Sequence, residues 1–311
     1  MDTIVITTCS NRKRLKPTAN LRASALPIGV LNVVAREWLS RIDLATETIS
    51  AGELYCGRGF REAEITAARF GNKPWIISAG LGLLDYDRQV PAYDLTLSTS
   101  SSDCILKRIE GTVTPSDWWE EIARQRSTDH PLLDLIVNNP KALVLIATSS
   151  AYTNLIASDL LSLPETDSSR LRIFGPRNLE KVPKQISPLI MPYDARFDGP
   201  NSPLPGTRGD FAQRALRHFS ETIAGKSGTL NEPNLHADQV QNCLAPWDVP
   251  KQIMRAKKTD AEIVELVANL WSPAQGSASK MLRVLRDQEM IACEQGRFAA
   301  LYKVARERCL L

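Results

Sequence analysis

Three short apolar runs, each breaking off into small polar or glycine residues, constrain this chain more than any other feature. They are TIVITT at 3–8, WIIS at 75–78 and KALVLIA at 141–147. Runs this short, rich in β-branched residues and bounded by turn formers, fit buried strands better than helices. Helical patterns lie between and after them. Residues 27–41 carry Leu31, Val34, Trp38 and Leu39, and 58–70 end at Gly71-Asn72. Thr148-Ser149-Ser150 follows the third run and opens a helix that extends through Leu163, a strand–cap–helix unit. Further short strands are expected at 171–174 and 189–191, and an amphipathic helix within 206–224. Alternation of this kind predicts an α/β fold, with a mixed or mainly parallel sheet covered by helices.

A chain of 311 residues suggests two domains. Residues 225–250 are rich in Gly, Ser, Asn and Pro with little periodicity, so 225–257 is expected to link an α/β domain over 1–224 to a second domain over 258–311. In that second part, Thr259 or Asp260 caps a helix bearing Ile263, Val264, Val267 and Leu270. A second helix over 277–288 turns Lys280, Arg283 and Arg286 outward. The segments 290–293 and 298–304 then read as a two-stranded ribbon around Glu294-Gln295-Gly296-Arg297. This order is that of a winged helix-turn-helix, which suits DNA: a basic helix fits the major groove, and Arg297 at the wing tip meets the backbone. Winged helices also serve as protein–protein modules, which is the plainer alternative.

Composition excludes several classes. An apolar content of 43% supports a sizeable core rather than disorder. No apolar run reaches about 18 residues and the N-terminus does not resemble a signal peptide, so no membrane contact and a cytoplasmic location are expected. The six cysteines (Cys9, Cys56, Cys104, Cys243, Cys293, Cys309) form no C-x-x-C pair, and the three histidines (His130, His218, His236) are far apart. Neither a metal site nor another cofactor is expected.

Chemistry-bearing residues cluster where strands should end. Thr8-Cys9-Ser10-Asn11-Arg12-Lys13 follows the first run, and ligands in open α/β sheets gather outside the carboxyl ends of strands. A cysteine beside Arg12 and Lys13 is a candidate nucleophile; the alternative is an inert thiol in a polar turn. Glu53-Leu54-Tyr55-Cys56-Gly57-Arg58 offers Tyr55 and Arg58 around a glycine, and Cys56 as a competing nucleophile. Ser78-Ala79-Gly80-Leu81-Gly82-Leu83-Leu84-Asp85, then Pro91-Ala92-Tyr93-Asp94, follow the second run. The G-x-G there is not a dinucleotide fingerprint, because the third glycine and acidic partner are missing. Asp85 and Asp94 are candidates for proton transfer; each is also an ordinary turn residue. A fourth segment, Gly206-Thr207-Arg208-Gly209-Asp210, places glycines and Arg208 before a helix, an arrangement that suits an anion or, equally, a capped helix start.

Taken together, C-S-x-x-K after strand 1, L-Y-x-G-x-x-F before a helix, and S-A-x-x-G-L-L-x-x-D followed by P-x-Y-D resemble the YaaA-like family and the matching domain of archaeosine synthase. The resemblance spans about residues 3–97, and more weakly to about 220. The family's S-A-K-Y-G-L reads Ser78-Ala79-Gly80-Leu81-Gly82-Leu83 here, so its lysine is absent. The resemblance implies chemistry on a 7-deazaguanine base. Joined to a DNA-binding module, it fits the YaaA-like proteins of bacterial deazaguanine DNA-modification and phage-defence clusters, beside a transglycosylase-like partner. The implied reaction is hydration of the nitrile of 7-cyano-7-deazaguanine in DNA to the amide. In that reading Cys9 attacks the nitrile, Asp85 or Asp94 moves protons, and Lys13 and Arg12 hold the thiolate or phosphates. Tyr55 stacks on the base, and Ser10, Asn11, Arg58, Ser78, Tyr93 and Arg208 complete the binding set. The alternatives are a non-catalytic YaaA-like DNA-binding stress protein and a winged-helix regulator sensing a nucleotide.

Overall fold

A computed structural model describes residues 2–224, 232–251 and 254–309. The chain divides into two units, Met1–Pro250 and Lys251–Leu311.

The first unit is built on a five-stranded sheet. Its strands are β1 (Thr3–Thr8), β3 (Trp75–Ser78), β4 (Gly82–Leu84), β6 (Leu143–Ala147) and β7 (Leu171–Phe174), in the order β4-β3-β1-β6-β7. Only the β3–β4 pair is antiparallel. Two further short strands, β2 (Ile49–Ser50) and β5 (Gln89–Val90), pair with each other. The sheet is therefore mixed and mainly parallel; the three apolar runs and the stretch at 171–174 supply four of its strands, and the fifth, β4, comes from the glycine-containing segment after the second run. Residues 189–191 do not: Ser187–Leu189 is a 3-10 turn, and Ile190 makes only a single bridge to Ile173.

Helices cover both faces. In chain order they are α1 (Leu31–Asp43), α2 (Ala51–Leu54), α3 (Arg58–Arg69), α4 (Pro115–Gln125), α5 (Pro131–Val137), α6 (Ser150–Leu155), α7 (Ala157–Leu161), α8 (Glu165–Ser168), α9 (Phe211–Thr222) and α10 (Pro233–Leu244). The two-residue period of the strands sorts their side chains between two cores. Ile6, Val144 and Ile146 join Trp38, Trp118 and Trp119 on one face. Val5, Leu143, Leu145 and Ala147 join Phe174, Phe211 and Phe219 on the other. Because both faces are buried, β6 is apolar at every position, as parallel strands under two helical layers must be.

The stretch expected to be a linker has two fates. Residues 225–231 lie outside the described residues, whereas Pro233–Leu244 is α10, whose Val240 and Leu244 enter the second core. His236 anchors this helix: Arg172 Nε, within β7, donates to His236 Nδ1 at 2.8 Å. The bond needs a neutral imidazole. Burial, and then the charge on Arg172, push the His236 pKa down from 6.5 to about 4. The unfolded chain therefore binds the extra proton first, so stability is complete above pH 6.5 and is lost as pH falls toward about 4. Thermal melts should fall steadily across that window in the wild type and be flatter in His236→Gln. Parallel pH profiles for the two proteins would contradict the assignment.

The second unit contains β8 (Ala256–Lys257), α11 (Asp260–Asn269), α12 (Ala278–Asp287), β9 (Ile291–Ala292) and α13 (Gln295–Cys309). The two expected helices are present. A capping box closes the first, with Thr259 Oγ1 receiving Glu262 N and the Glu262 carboxylate receiving Thr259 N. Among the described residues the expected wing is not formed. Residues 298–304, expected as a strand, lie inside α13, and β9 instead pairs in parallel with β8. The physical cause is local and tertiary together. Glu294 accepts the Arg297 amide and so starts a helix, and Phe298, Leu301 and Ala305 fall at helical spacing onto Ile263, Val264 and Val267. Arg297 is consequently no wing tip: it holds Asp260 and the Lys258 carbonyl. Arg286 is not turned outward either, and both its Nε and Nη2 donate to the Cys293 carbonyl. Lys280 and Arg283 are exposed on α12 as expected.

Candidate functional site

Strand order determines where a ligand has room. The chain leaves β1 toward β3 on one side and later returns to β6 on the other, so the crevice outside the carboxyl ends of β1 and β6 is a topological switch point. Cys9 is the residue after β1, held there by its amide donating to the Ile77 carbonyl at 2.8 Å. Beyond β6, Ser149 caps α6 by accepting the Tyr152 amide, and so places Tyr152 one turn into the helix. The two side chains meet across the switch point: Cys9 Sγ lies 3.1 Å from the Tyr152 hydroxyl oxygen.

They line a cleft of 570 Å³, within the range of small-molecule sites, together with Arg12, Cys56, Arg58 and Gln213. Cys9 is half-buried, and burial, followed by the nearby Cys9, holds the Tyr152 phenol well above its ordinary pKa. Tyr152 is therefore a protonated hydroxyl at any physiological pH, fit to pass a proton rather than to carry charge.

Behind Cys9 is a sealed hydroxyl cluster. Tyr93 shares hydrogen bonds with Ser78 (2.6 Å) and Tyr55 (2.8 Å). Tyr55 is 1% exposed, and Ser78 and Tyr93 are fully buried. Burial, then the proximity of Cys9, raises both tyrosine pKa values, so both stay protonated. Two indoles clamp the adjoining chain, Trp38 donating to the Gly80 carbonyl and Trp118 to the Ala79 carbonyl. Gly80 is required, because a β-carbon there would come within 2.6 Å of the Tyr93 ring. Lys13 rests on this cluster, its ammonium 4.5 Å above the Tyr93 ring and 4.0 Å from Asp94, which Arg22 also approaches at 3.7 Å.

The sequence-derived candidates therefore separate. Cys9, Ser10, Asn11, Arg12 and Arg58 line the cleft, as does Cys56. Ser10 is a brace: its hydroxyl reaches the Arg12 and Cys56 carbonyls and holds the two loops together. Lys13 and Asp94 border an adjoining recess that shares Asn11 and Thr96 with the cleft. Arg208 borders a second chamber. Tyr55, Ser78 and Tyr93 lie in the core, so the expectation that Tyr55 stacks on a base is corrected, and the three support the loop that carries Cys9. Asp85 is removed altogether. It borders a depression with Asp2, Thr3 and Lys141 at the amino-terminal end of β1, and its carboxylate accepts the Asp87 amide in a turn. Because β4 runs antiparallel to β3, the residue after it falls at the amino-terminal end of the parallel strands, away from Cys9.

Tyr152 escaped the sequence reading. Its signal was available: a residue one turn into a helix that directly follows a buried strand faces the same strand-tip crevice as the residue after β1.

Among the described residues, no group of three His, Cys, Asp or Glu side chains is placed to hold a metal ion. The three histidines are engaged separately, His130 with Asp159, His218 with Tyr193 and His236 with Arg172. Among the described residues, no helix is long and apolar enough to cross a membrane.

Fold and site together define an α/β protein with a cysteine–tyrosine pair in a strand-tip cleft. No family model, curated protein or solved structure matches the chain.

Proposed function

We propose that the protein is an enzyme that hydrates the nitrile of 7-cyano-7-deazaguanine in DNA, with Cys9 as the covalent nucleophile. The observation that carries this reading is the Cys9–Tyr152 contact of 3.1 Å inside a cleft at the switch point of the sheet. The resemblance to YaaA-like proteins supplies the substrate class.

The pair suits the chemistry because the sulfur and a proton source stand side by side. Cys9 Sγ forms a bond to the nitrile carbon, and one C–N π bond breaks. The nitrogen takes the Tyr152 hydroxyl proton while Tyr152 receives the thiol proton, so no net charge develops in the cleft. Water then adds to the thioimidate carbon, with one proton passing to nitrogen. The C–S bond breaks, the sulfur regains a proton, and the amide is released. Nitrile plus water gives amide, and Cys9 returns as a thiol. Tyr152 takes the proton-transfer role first assigned to Asp85 or Asp94. If the DNA is duplex, the base must leave the stack before it reaches Cys9, at a cost of a few kcal/mol.

Charge favours a polynucleotide. Residues 251–311 hold eleven Lys and Arg against seven Asp and Glu, whereas residues 1–250 hold 27 against 28. The net positive charge of the chain thus resides in the second unit, where Lys280 and Arg283 are exposed. Arg12, at the mouth of the cleft, makes no ion pair among the described residues.

The test is nucleoside mass spectrometry after incubation with an oligonucleotide containing 7-cyano-7-deazaguanine. The modified nucleoside is expected to gain one water, and Tyr152→Phe to slow that gain on the order of 10²–10³-fold, as for a lost general acid. An unchanged nucleoside would end the proposal, and full activity in Tyr152→Phe would end the role of Tyr152.

A further inference from the structure

A second chamber of 400 Å³ adjoins the cysteine cleft, and the two share Thr8, Gly209 and Gln213 in their walls. It is enclosed by the carboxyl-end residues of two strands, Thr148-Ser149 after β6 and Gly175 after β7, and by Arg177 and Arg208. Nothing in the cysteine chemistry uses it.

Its electrostatics are one-sided. Arg177 lies over the Phe211 ring, its guanidinium carbon 3.6 Å from the centroid, and is tethered at one nitrogen by Asp198. Asp198 also holds Arg214 at 2.6 Å, so one carboxylate serves two guanidinium groups. Asp210 is likewise divided between Arg214 and Arg58. Arg208 is exposed and makes no ion pair among the described residues. The carboxylates here are all committed, and positive charge is left over.

Gly175 shapes the chamber wall: it has φ +117°, and a β-carbon there would come within 2.0 Å of the Thr148 carbonyl oxygen, so the chain turns tightly against the end of β6. Gly209 presents bare backbone beside Arg208, its nearest neighbour to a notional β-carbon being Thr207 Oγ1 at 3.7 Å. Two guanidinium groups thus line one chamber, one held on an aromatic ring and one with no ion-pair partner among the described residues, and guanidinium forks suit the oxygens of an oxyanion.

We infer that this chamber is a phosphate subsite, which holds the phosphate of the nucleotide whose base faces Cys9. The inference rests on the nucleotide reading above but not on any step of catalysis.

Binding of inorganic phosphate is measured by calorimetry at constant ionic strength, with chloride and acetate as controls. Wild type and Cys9→Ala are both expected to bind phosphate saturably, and Arg208→Ala to weaken it at least tenfold. Arg208 is exposed, so this variant should keep the wild-type melting temperature. Absent phosphate binding, acetate bound as well as phosphate, or equal binding by Arg208→Ala would each overturn the subsite. A second arm compares deoxyguanosine 5′-monophosphate with deoxyguanosine. The monophosphate is expected to bind at least tenfold more tightly than either the nucleoside or inorganic phosphate, and that gain should vanish in Arg208→Ala. Binding no tighter than that of inorganic phosphate would overturn the nucleotide assignment. If the oligonucleotide gains no water while Arg208-dependent phosphate binding persists, the catalytic reading alone falls; the reverse result removes the subsite alone.

Discussion

Cys9→Ala is expected to abolish turnover on the cyano-deazaguanine oligonucleotide, with a loss on the order of 10³-fold or more, because a covalent nucleophile cannot be replaced by its neighbours. That loss corresponds to about 4 kcal/mol of transition-state stabilisation. The fold should survive. Cys9 is half-buried, and its side chain's hydrogen bond to Tyr152 is worth about 1 kcal/mol. A quenched reaction of wild type should show a protein adduct heavier by one substrate on the peptide containing Cys9, and none in the variant. Cys56→Ala is the control: that thiol also lines the cleft, but its Sγ approaches the Arg12 carbonyl at 3.4 Å rather than a proton donor for the nitrile. Retained turnover in Cys9→Ala with loss in Cys56→Ala would transfer the nucleophile to Cys56, and retention in both would exclude covalency.

The largest stability effect is expected from Trp118→Ala. This indole is fully buried in the core between α1, α4 and the sheet, and its Nε1 donates to the Ala79 carbonyl at 2.7 Å. Truncation to alanine leaves a cavity and costs about 3–5 kcal/mol. For a unit of this size that lowers Tm by roughly 6–20 °C. Ala79 adjoins Ser78 and Gly80, so the variant should also loosen the tyrosine cluster behind Cys9, seen as faster alkylation of Cys9 below Tm. A shift under about 2 °C would mean that Trp118 does not carry the packing assigned to it.

Periodicity was informative where one pattern had a single solution. The runs at 3–8, 75–78, 141–147 and 171–174 are strands because apolar, β-branched stretches of that length bury on both faces. The run at 298–304 had two solutions. Phe298, Ala300, Tyr302 and Val304 alternate as a strand would, while Phe298, Leu301 and Ala305 repeat as a helix does. The cap at Glu294 and packing against α11 decide for the helix. Helix α4 lies in a polar stretch that the hydrophobic period does not mark, although Thr114-Pro115-Ser116-Asp117 carries a complete start signal: a Thr cap, Pro at the first position and Asp returning to the cap amide.

The site was legible to the extent that strand ends predict crevices. Cys9, Arg12 and Arg58 were singled out and share one cleft. Exposure was not legible. Tyr55 and Tyr93 carry polar tips on large apolar bodies, a composition that suits either a ligand or a core, and only their mutual hydrogen bond shows which.

By itself, the amino-acid order determined the α/β class, the parallel strands and the carboxyl-end position of Cys9, because these follow from local hydrophobic period and chain direction. The tertiary structure alone decided that Tyr152 meets Cys9 across 143 residues, that Asp85 faces away at the other end of the sheet, and that Arg177 joins Arg208. Such pairings depend on strand order, and strand order is set by long-range packing that no local window of sequence contains.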